Sequence, residues 1–129
     1  MKPYVTVWID HREARIVMIE NDRETMSRIE SSVGKHVRFS DSMGGAEDHV
    51  ERRFAEHLHK YYDDLVTRIG DAESILILGP GEAKHELEKR LRDKGLGERI
   101  AAVETTDKMT DPQIAARARK WFAKQRGQS

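Results

Sequence analysis

The chain has 129 residues, of which 37% are hydrophobic and 36% are charged. This length suits one domain with one core, and the hydrophobic content excludes a wholly disordered chain. The 23 basic and 23 acidic residues cancel, so no net charge attracts nucleic acid or membrane, and the lack of cysteine excludes disulfides, thiolate zinc sites and a cysteine nucleophile.

No stretch of the sequence is apolar enough to cross a membrane. The longest aliphatic run, residues 75–78, has four residues, whereas a membrane-spanning helix needs about 20. The N-terminus also lacks the apolar segment of a signal peptide. We therefore expect one cytoplasmic domain over residues 1–129, with a frayed tail at 127–129 and no membrane partner.

The first thirty residues predict an antiparallel meander of three strands. Residues 4–9 and 14–19 are rich in β-branched and aromatic side chains, and a third strand runs from about 24 to 30. The polar gaps at 10–13 and 21–23 suit hairpin turns, in which Asn and Asp side chains bond to nearby backbone.

Residues 31–46 break this regular pattern. The segment contains three glycines and four serines and has neither a strand nor a helix period. An irregular connection of this length in a compact domain is usually functional or disordered. We therefore expect residues 33–46 to form a long flexible loop, the most mobile internal segment of the chain.

Two strand-helix units and a preceding long helix follow this loop. Apolar residues repeat at helical spacing from 47 to 69, and Gly70 ends that helix. A buried strand at 74–79 leads through a Gly-Pro-Gly turn into a helix over about 82–94, and residues 99–104 predict the fifth strand. The last helix is predicted to start with Asp111 as its N-cap and Pro112 at its first position.

The resulting order of elements is β-β-β-α-β-α-β-α. Three meander strands followed by two strand-helix units require a five-stranded mixed sheet with helices packed on its faces. We predict an α/β, ribonuclease-H-like fold. The predicted core contains Val5, Val7, Ile16, Met18, Phe54, Leu58, Ile75, Ile77, Leu87, Leu91, Ala118 and Phe122.

Two motifs in this framework point to a known family. The strand-turn-helix sequence at 75–87 reads ILILGPGEAKHEL, and Gly44-Gly45 lies in the loop before the long helix. Together with the order of elements over about residues 4–122, they resemble the middle domain of archaeal and eukaryotic class-I peptide-chain release factors. Pelota-type relatives and stand-alone bacterial versions share that domain. The resemblance implies a translation-associated domain whose loop, in release factors, carries Gly-Gly-Gln into the peptidyl-transferase centre and promotes hydrolysis of peptidyl-tRNA.

The chain departs from that family at the residue that would support catalysis. Gly44 and Gly45 match the two glycines, whereas Ala46 stands where the family has glutamine. Alanine has no side-chain amide and forms no side-chain hydrogen bond. Residues 41–64 carry seven acids against three basic residues, a net charge of 3 − 7 = −4, although the family's segment is basic. We therefore expect a non-enzymatic domain that binds the ribosome or RNA.

Two basic clusters are the candidate contacts for RNA phosphates. One lies in the loop, and the other lies in the last helix, where residues 114–126 contain no acid. A solvated face that complements the helix dipole is the alternative interpretation of the second cluster. The predicted ribosome- or RNA-binding residues are Lys35, His36, Arg38, Gly44, Gly45, Arg117, Arg119, Lys120 and Lys124.

Two other functions compete with this hypothesis. A metal-dependent nuclease would use Asp10, Glu47 and Asp48, which otherwise shape a hairpin turn and complement a helix N-terminus. The third alternative is a homo-oligomeric interaction module that associates through a sheet edge or a helix face and binds no RNA.

No cofactor or metal site is predicted. His57 and His59 are two residues apart on a helix, about 200° around its axis, so they cannot bind one metal ion. The Gly79-Pro80-Gly81 turn precedes a helix N-terminus, which attracts anions, but it lacks the longer glycine-rich phosphate motifs. A tight turn is the simpler interpretation.

Overall fold

The computed structural model describes residues 2–21, 23–31 and 47–127, with the backbone alone at 47–55, 57, 126 and 127. These residues form five strands and three helices. A short 3-10 turn at Gly97–Arg99 lies between the second helix and the fifth strand. The elements are β1 (Tyr4–Ile9), β2 (Glu13–Glu20), β3 (Arg23–Glu30), α1 (Glu47–Ile69), β4 (Ser74–Gly79), α2 (Ala83–Asp93), β5 (Ile100–Thr105) and α3 (Asp111–Gly127).

The strands form one mixed sheet in the order β3-β2-β1-β4-β5. β1 is antiparallel to β2, and β2 is antiparallel to β3, because short turns join them. β4 is parallel to both β1 and β5. The connection from β4 to β5 contains a helix, as connections between consecutive parallel strands usually do. The predicted five-stranded mixed sheet is confirmed, while the ribonuclease-H-like name stays a prediction.

One face of the sheet is covered by α1 and α2. The alternating residues Val5, Val7 and Ile9 of β1 face this side, as do Ile75 and Ile77 of β4. The two helices supply a stripe of apolar side chains at helical spacing, all of them buried: Leu58, Tyr61, Leu65 and Ile69 from α1, and Leu87 and Leu91 from α2.

Among the described elements, α3 covers the other face. Its buried stripe is Ile114, Ala118, Trp121 and Phe122, as the sequence predicts. These side chains pack on Trp8, Val17, Leu76 and Leu78. The Trp8 indole N–H donates to the Oγ1 of Thr106 and to the carbonyl of Asp107, each at 3.2 Å.

The start of α3 corrects one prediction. The hydroxyl of Thr110 accepts the N–H of Gln113 at 3.3 Å, and the Gln113 amide oxygen accepts the N–H of Thr110 at 2.9 Å. The carbonyl of Thr110 also accepts the N–H of Ile114. Thr110 is therefore the N-cap of a capping box, and Asp111, whose carboxylate pairs with Arg15 at 2.9 Å, lies inside the first turn.

Most of the predicted core is buried. Met18 is the exception, since it is only partly buried against the core under α1 and α2. The side chain of Phe54 and the loop at 33–46 lie outside the described residues. Among the described helices, none is long and apolar enough to cross a membrane.

Candidate functional site

The C-terminal ends of β1, β4 and β5 lie at one edge of the sheet, which we call the upper edge. Asp10, Pro80 and Thr106 follow these three strands directly. This is the edge at which sheets with parallel strands most often bind ligands. The segment that contains the predicted loop also leaves from here, because β3 runs upward and ends at Glu30.

Asp10 shapes the turn between β1 and β2. Its Oδ1 accepts the backbone N–H groups of Arg12 and Glu13, each at 2.8 Å. Its own carbonyl accepts the Tyr61 hydroxyl of α1 at 3.0 Å. Burial, followed by the charge of Asp10, raises the pKa of Tyr61 well above its ordinary value. The carboxylate named in the nuclease alternative is thus engaged in turn geometry, while the side chains of Glu47 and Asp48 lie outside the description.

Ser31 fixes the point where the predicted loop begins. Its N–H donates to the carbonyl of Arg12 at 2.9 Å, and its hydroxyl donates to the carbonyl of His11 at 2.6 Å. The residue is only 4% exposed. The chain is therefore anchored on the β1–β2 turn at Ser31, two residues before the predicted loop. The sequence pattern gave no sign of this anchor, because a serine after a strand has many possible partners.

Glu86 of α2 connects the same turn to α1. One carboxylate oxygen, Oε1, accepts the Tyr62 hydroxyl and lies 3.0 Å from Nε2 of His11. Burial, together with the hydrogen bond to Glu86, raises the pKa of Tyr62 well above its ordinary value. His11 and Glu86 are 75 residues apart in sequence, so only the folded chain brings them together. These contacts hold the β1–β2 turn, α1 and α2 together.

Two close contacts stabilise the strand-turn-helix motif at 79–84. A Cβ at Gly79 would lie 2.3 Å from the carbonyl oxygen of Ile9, so only glycine fits between β4 and β1 here. Lys84 is buried, and its ammonium donates to the Gly81 carbonyl at 2.6 Å. The tight-turn interpretation accounts for these contacts.

Two of the four basic residues predicted in α3 are paired within the fold. Arg117 bonds both carboxylate oxygens of Glu104, at 2.8 and 3.0 Å, and Arg119 bonds Glu24 at 2.7 Å. Lys120 and Lys124 are exposed. The pairing with Glu24 places Arg119 near the lower end of β3, six residues and about 20 Å from Glu30 at the upper edge.

The position of the loop cluster relative to the basic residues of α3 stays a prediction. Lys35, His36, Arg38, Gly44 and Gly45 all lie outside the described residues, so their positions stay a prediction. The described side chains include no group of three or more His, Asp or Glu residues placed to hold a metal ion.

Several solved structures have a similar fold, and three of them match this chain with similar quality. Thermoplasma acidophilum Pelota matches with a TM-score of 0.57 at 18% identity, over 88% of this chain and 31% of that one. An archaeal translation termination factor, aRF1, matches with a TM-score of 0.56 at 15% identity, over 87% and 32%. Archaeoglobus fulgidus Pelota matches with a TM-score of 0.56 at 10% identity, over 92% and 31%.

The chain has a Pelota- and release-factor-like fold. The resemblance that the sequence predicts is confirmed at this level. This chain spans about a third of the length of the proteins that it matches. No protein-family profile and no curated protein sequence matches it, so the shared structure carries the comparison.

Proposed function

We propose that this protein is a non-enzymatic, translation-associated binding domain. It contacts the ribosome or RNA through the loop that contains Lys35, His36, Arg38, Gly44 and Gly45. The observation that carries the proposal is the shared fold with Pelota and the termination factor aRF1. In the release factors that the sequence resembles, the loop before the long helix carries Gly-Gly-Gln.

The anchored frame around the loop supports this proposal. Ser31 holds one end of the segment on the β1–β2 turn, and α1 resumes the chain at Glu47. Tyr61 meets that turn from α1, and 14 residues of the helix, about 20 Å, precede this contact. The segment between Ser31 and Glu47 therefore joins an anchored residue at the upper edge to the N-terminal end of α1, which lies 14 residues before the contact of Tyr61 with the turn.

Co-sedimentation with ribosomes at two salt concentrations tests the binding. We expect binding at low salt that weakens steeply as salt rises, because released counterions drive contacts to phosphates. The variant Lys35→Ala/His36→Ala/Arg38→Ala is expected to lose most of the binding. The matched control, Lys89→Ala/Lys108→Ala, removes two exposed cations that are not among the predicted binding residues, and it is expected to bind as the wild type does. Equal binding by the loop variant and the wild type would contradict the proposed site.

The absence of the glutamine predicts that the protein does not hydrolyse peptidyl-tRNA. Changing Ala46→Gln alone is also expected to confer no activity, because residues 41–64 retain a net charge of 3 − 7 = −4 that opposes approach to RNA. The assay is release of labelled formylmethionine from ribosomes loaded with initiator tRNA. Release above buffer by the wild type would overturn the non-enzymatic proposal, and release by the variant alone would show that the glutamine was the missing requirement.

A further inference from the structure

β3 is an edge strand that can extend the sheet. Within the described residues, it pairs only with β2, over all eight positions from Arg23 to Glu30. Its side chains are mostly exposed, and Met26, at 39%, is the exposed large hydrophobic residue of the described chain. An edge strand presents backbone N–H and C=O groups that can pair with another strand.

The hairpin register determines which of these groups point outward. Glu20 lies opposite Arg23, and two residues join them. The closing pair of such a two-residue turn exchanges hydrogen bonds, and the pattern alternates along an antiparallel pair. The N–H and C=O groups of Glu24, Met26 and Arg28 therefore point away from β2.

These same three residues share one face of the sheet. Met26 lies opposite Val17, which packs under α3, so Glu24, Met26 and Arg28 all lie on the α3 face. Read along the strand, the face presents an acid, an apolar residue and a base. That sequence is complementary to itself when a second copy runs antiparallel.

We infer that β3 is the interface of a twofold homodimer, in which two copies pair antiparallel with Met26 on the axis. Glu24 then lies opposite Arg28 of the other copy, twice, and the two Met26 side chains pack together. The two five-stranded sheets become one sheet of ten strands. Opposite charges placed directly across a strand pair stabilise it, and like charges destabilise it.

Other symmetric registers do not reproduce this double charge match, and centring the pair on Thr25 leaves Glu24 opposite Met26. A twofold axis perpendicular to the sheet places the α3 faces of both copies on the same side. Each residue of β3 can then lie opposite only those residues of the other copy that share its face. Centring the pair on Ser27 places Glu24 opposite Glu30, and centring it on Arg28 places two arginines face to face. The exposed charges of the edge thus disfavour indiscriminate pairing while favouring this one register.

The charges of the α3 face support the same arrangement. Asp111 pairs with Arg15 at 2.9 Å, Arg15 with Glu13 at 3.2 Å, and Glu13 with Arg28 at 3.1 Å. On the other copy, Glu24 is held by Arg119 at 2.7 Å. Bringing Glu24 to Arg28 across the axis joins these two sets into one row of alternating charge. The opposite edge, β5, has a single charged residue, Glu104, and offers no such match.

Charge exchange between two variants tests the inference. Glu24→Arg alone places arginines opposite Arg28, and Arg28→Glu alone places glutamates opposite Glu24, so each variant is expected to sediment as a monomer. An equimolar mixture restores two opposite-charge pairs and is expected to form a heterodimer. Analytical ultracentrifugation of the wild type, each variant and the mixture gives the result, and circular dichroism checks that each variant is folded.

The interface is small, so we expect a dimer that dissociates on dilution. A wild type that stays monomeric up to its solubility limit overturns the inference, as does a mixture that stays monomeric while both variants are folded.

A cysteine at the axis gives an independent measurement. The chain has no cysteine, and directly opposed, hydrogen-bonded residues have Cα atoms about 5.5 Å apart, which is within disulfide range. Met26→Cys is therefore expected to form a disulfide-linked dimer under mild oxidation. Arg23→Cys is the matched control, because its two copies would lie about six residues apart along the strands. Equal crosslinking at both positions would overturn the register.

Discussion

At the scale of single residues, close backbone packing explains why particular residue types occupy the upper edge. Gly79 lies against the carbonyl of Ile9, where a Cβ would approach to 2.3 Å. Gly81, two residues on, has no atom within 4 Å of a Cβ built there. Two glycines of one motif thus have different structural roles, and only the first is required by packing between strands.

Substituting these two glycines separates the roles. We expect Gly79→Ala to lower the free energy of unfolding by about 1–3 kcal/mol, as overpacking between fixed backbones does. Gly81→Ala is the control and is expected to change it by about 0.5 kcal/mol or less. Chemical denaturation of both variants measures the difference. Equal effects would mean that β1 and β4 move apart at no cost.

The two buried phenols give the protein a dependence on alkaline pH. The pKa of both Tyr61 and Tyr62 is raised above the ordinary value of 10.0, mainly by burial. The folded state therefore holds these protons more tightly than the unfolded state does. Their contribution to stability is complete below about pH 10 and is lost as the pH rises above it.

Removing the phenols is expected to weaken this dependence. The free energy of unfolding of Tyr61→Phe/Tyr62→Phe should be lower than that of the wild type at neutral pH, because two hydrogen bonds are lost. Above about pH 10, however, it should fall less steeply. Denaturation at a series of pH values gives both slopes, with Tyr4→Phe as a control outside the cluster. Parallel slopes in the double variant and the wild type would contradict the role of burial.

At the scale of elements, α3 shows how a local motif sets a boundary. The Thr110–Gln113 capping box satisfies two N–H groups at the start of the helix. Sequence reasoning placed the cap one residue later, because Asp111 followed by proline is also a common helix start. Both residues are good N-caps, and only the hydrogen bonds in the fold distinguish them.

Thr110→Ala is therefore expected to lower the free energy of unfolding by about 1 kcal/mol. Thr110→Ser retains the hydroxyl and should cost less. Asp111→Ala removes a partly exposed ion pair with Arg15 and is expected to cost less than about 1 kcal/mol. Thermal and chemical denaturation rank the three variants, and a larger loss for Asp111→Ala than for Thr110→Ala would restore Asp111 as the cap.

At the scale of the whole molecule, the sheet couples the two cores. β1 presents Val5 and Val7 to α1 and α2, and Trp8 to α3, while β4 alternates in the same way. Neither core can be lost without exposing strands that form the other. Both tryptophans, Trp8 and Trp121, lie on the α3 side, so their fluorescence reports on that core.

We therefore expect one cooperative unfolding transition. The midpoint from tryptophan fluorescence should coincide with the midpoint from far-ultraviolet circular dichroism, which reports on all helices and strands. The variant Leu65→Ala, in the opposite core, should shift both midpoints together, by a loss of about 2–5 kcal/mol. A fluorescence midpoint at lower denaturant would show that α3 detaches first.

The order and type of the elements can be predicted from the sequence, because hydrophobic period and turn residues are local signals. The bounds of β1, α1 and β4 match the prediction. β3 differs from it by one residue at its start, and β2, β5 and α2 differ by one residue at each end. The five-stranded mixed sheet follows from the element order, whereas the order of the strands within it is seen only in the structure. The family resemblance rests on two motifs and the element order.

Which side chains meet across the fold depends on the tertiary structure. The anchor at Ser31, the contacts of Glu86 with His11 and Tyr62, and the pairing of Arg117 and Arg119 join residues 13 to 95 positions apart. No local pattern encodes such contacts, since each side chain has many partners of suitable chemistry and the fold selects among them by position. The same reason makes the charge order along β3 informative only once the register identifies which residues share a face and which strand is the edge.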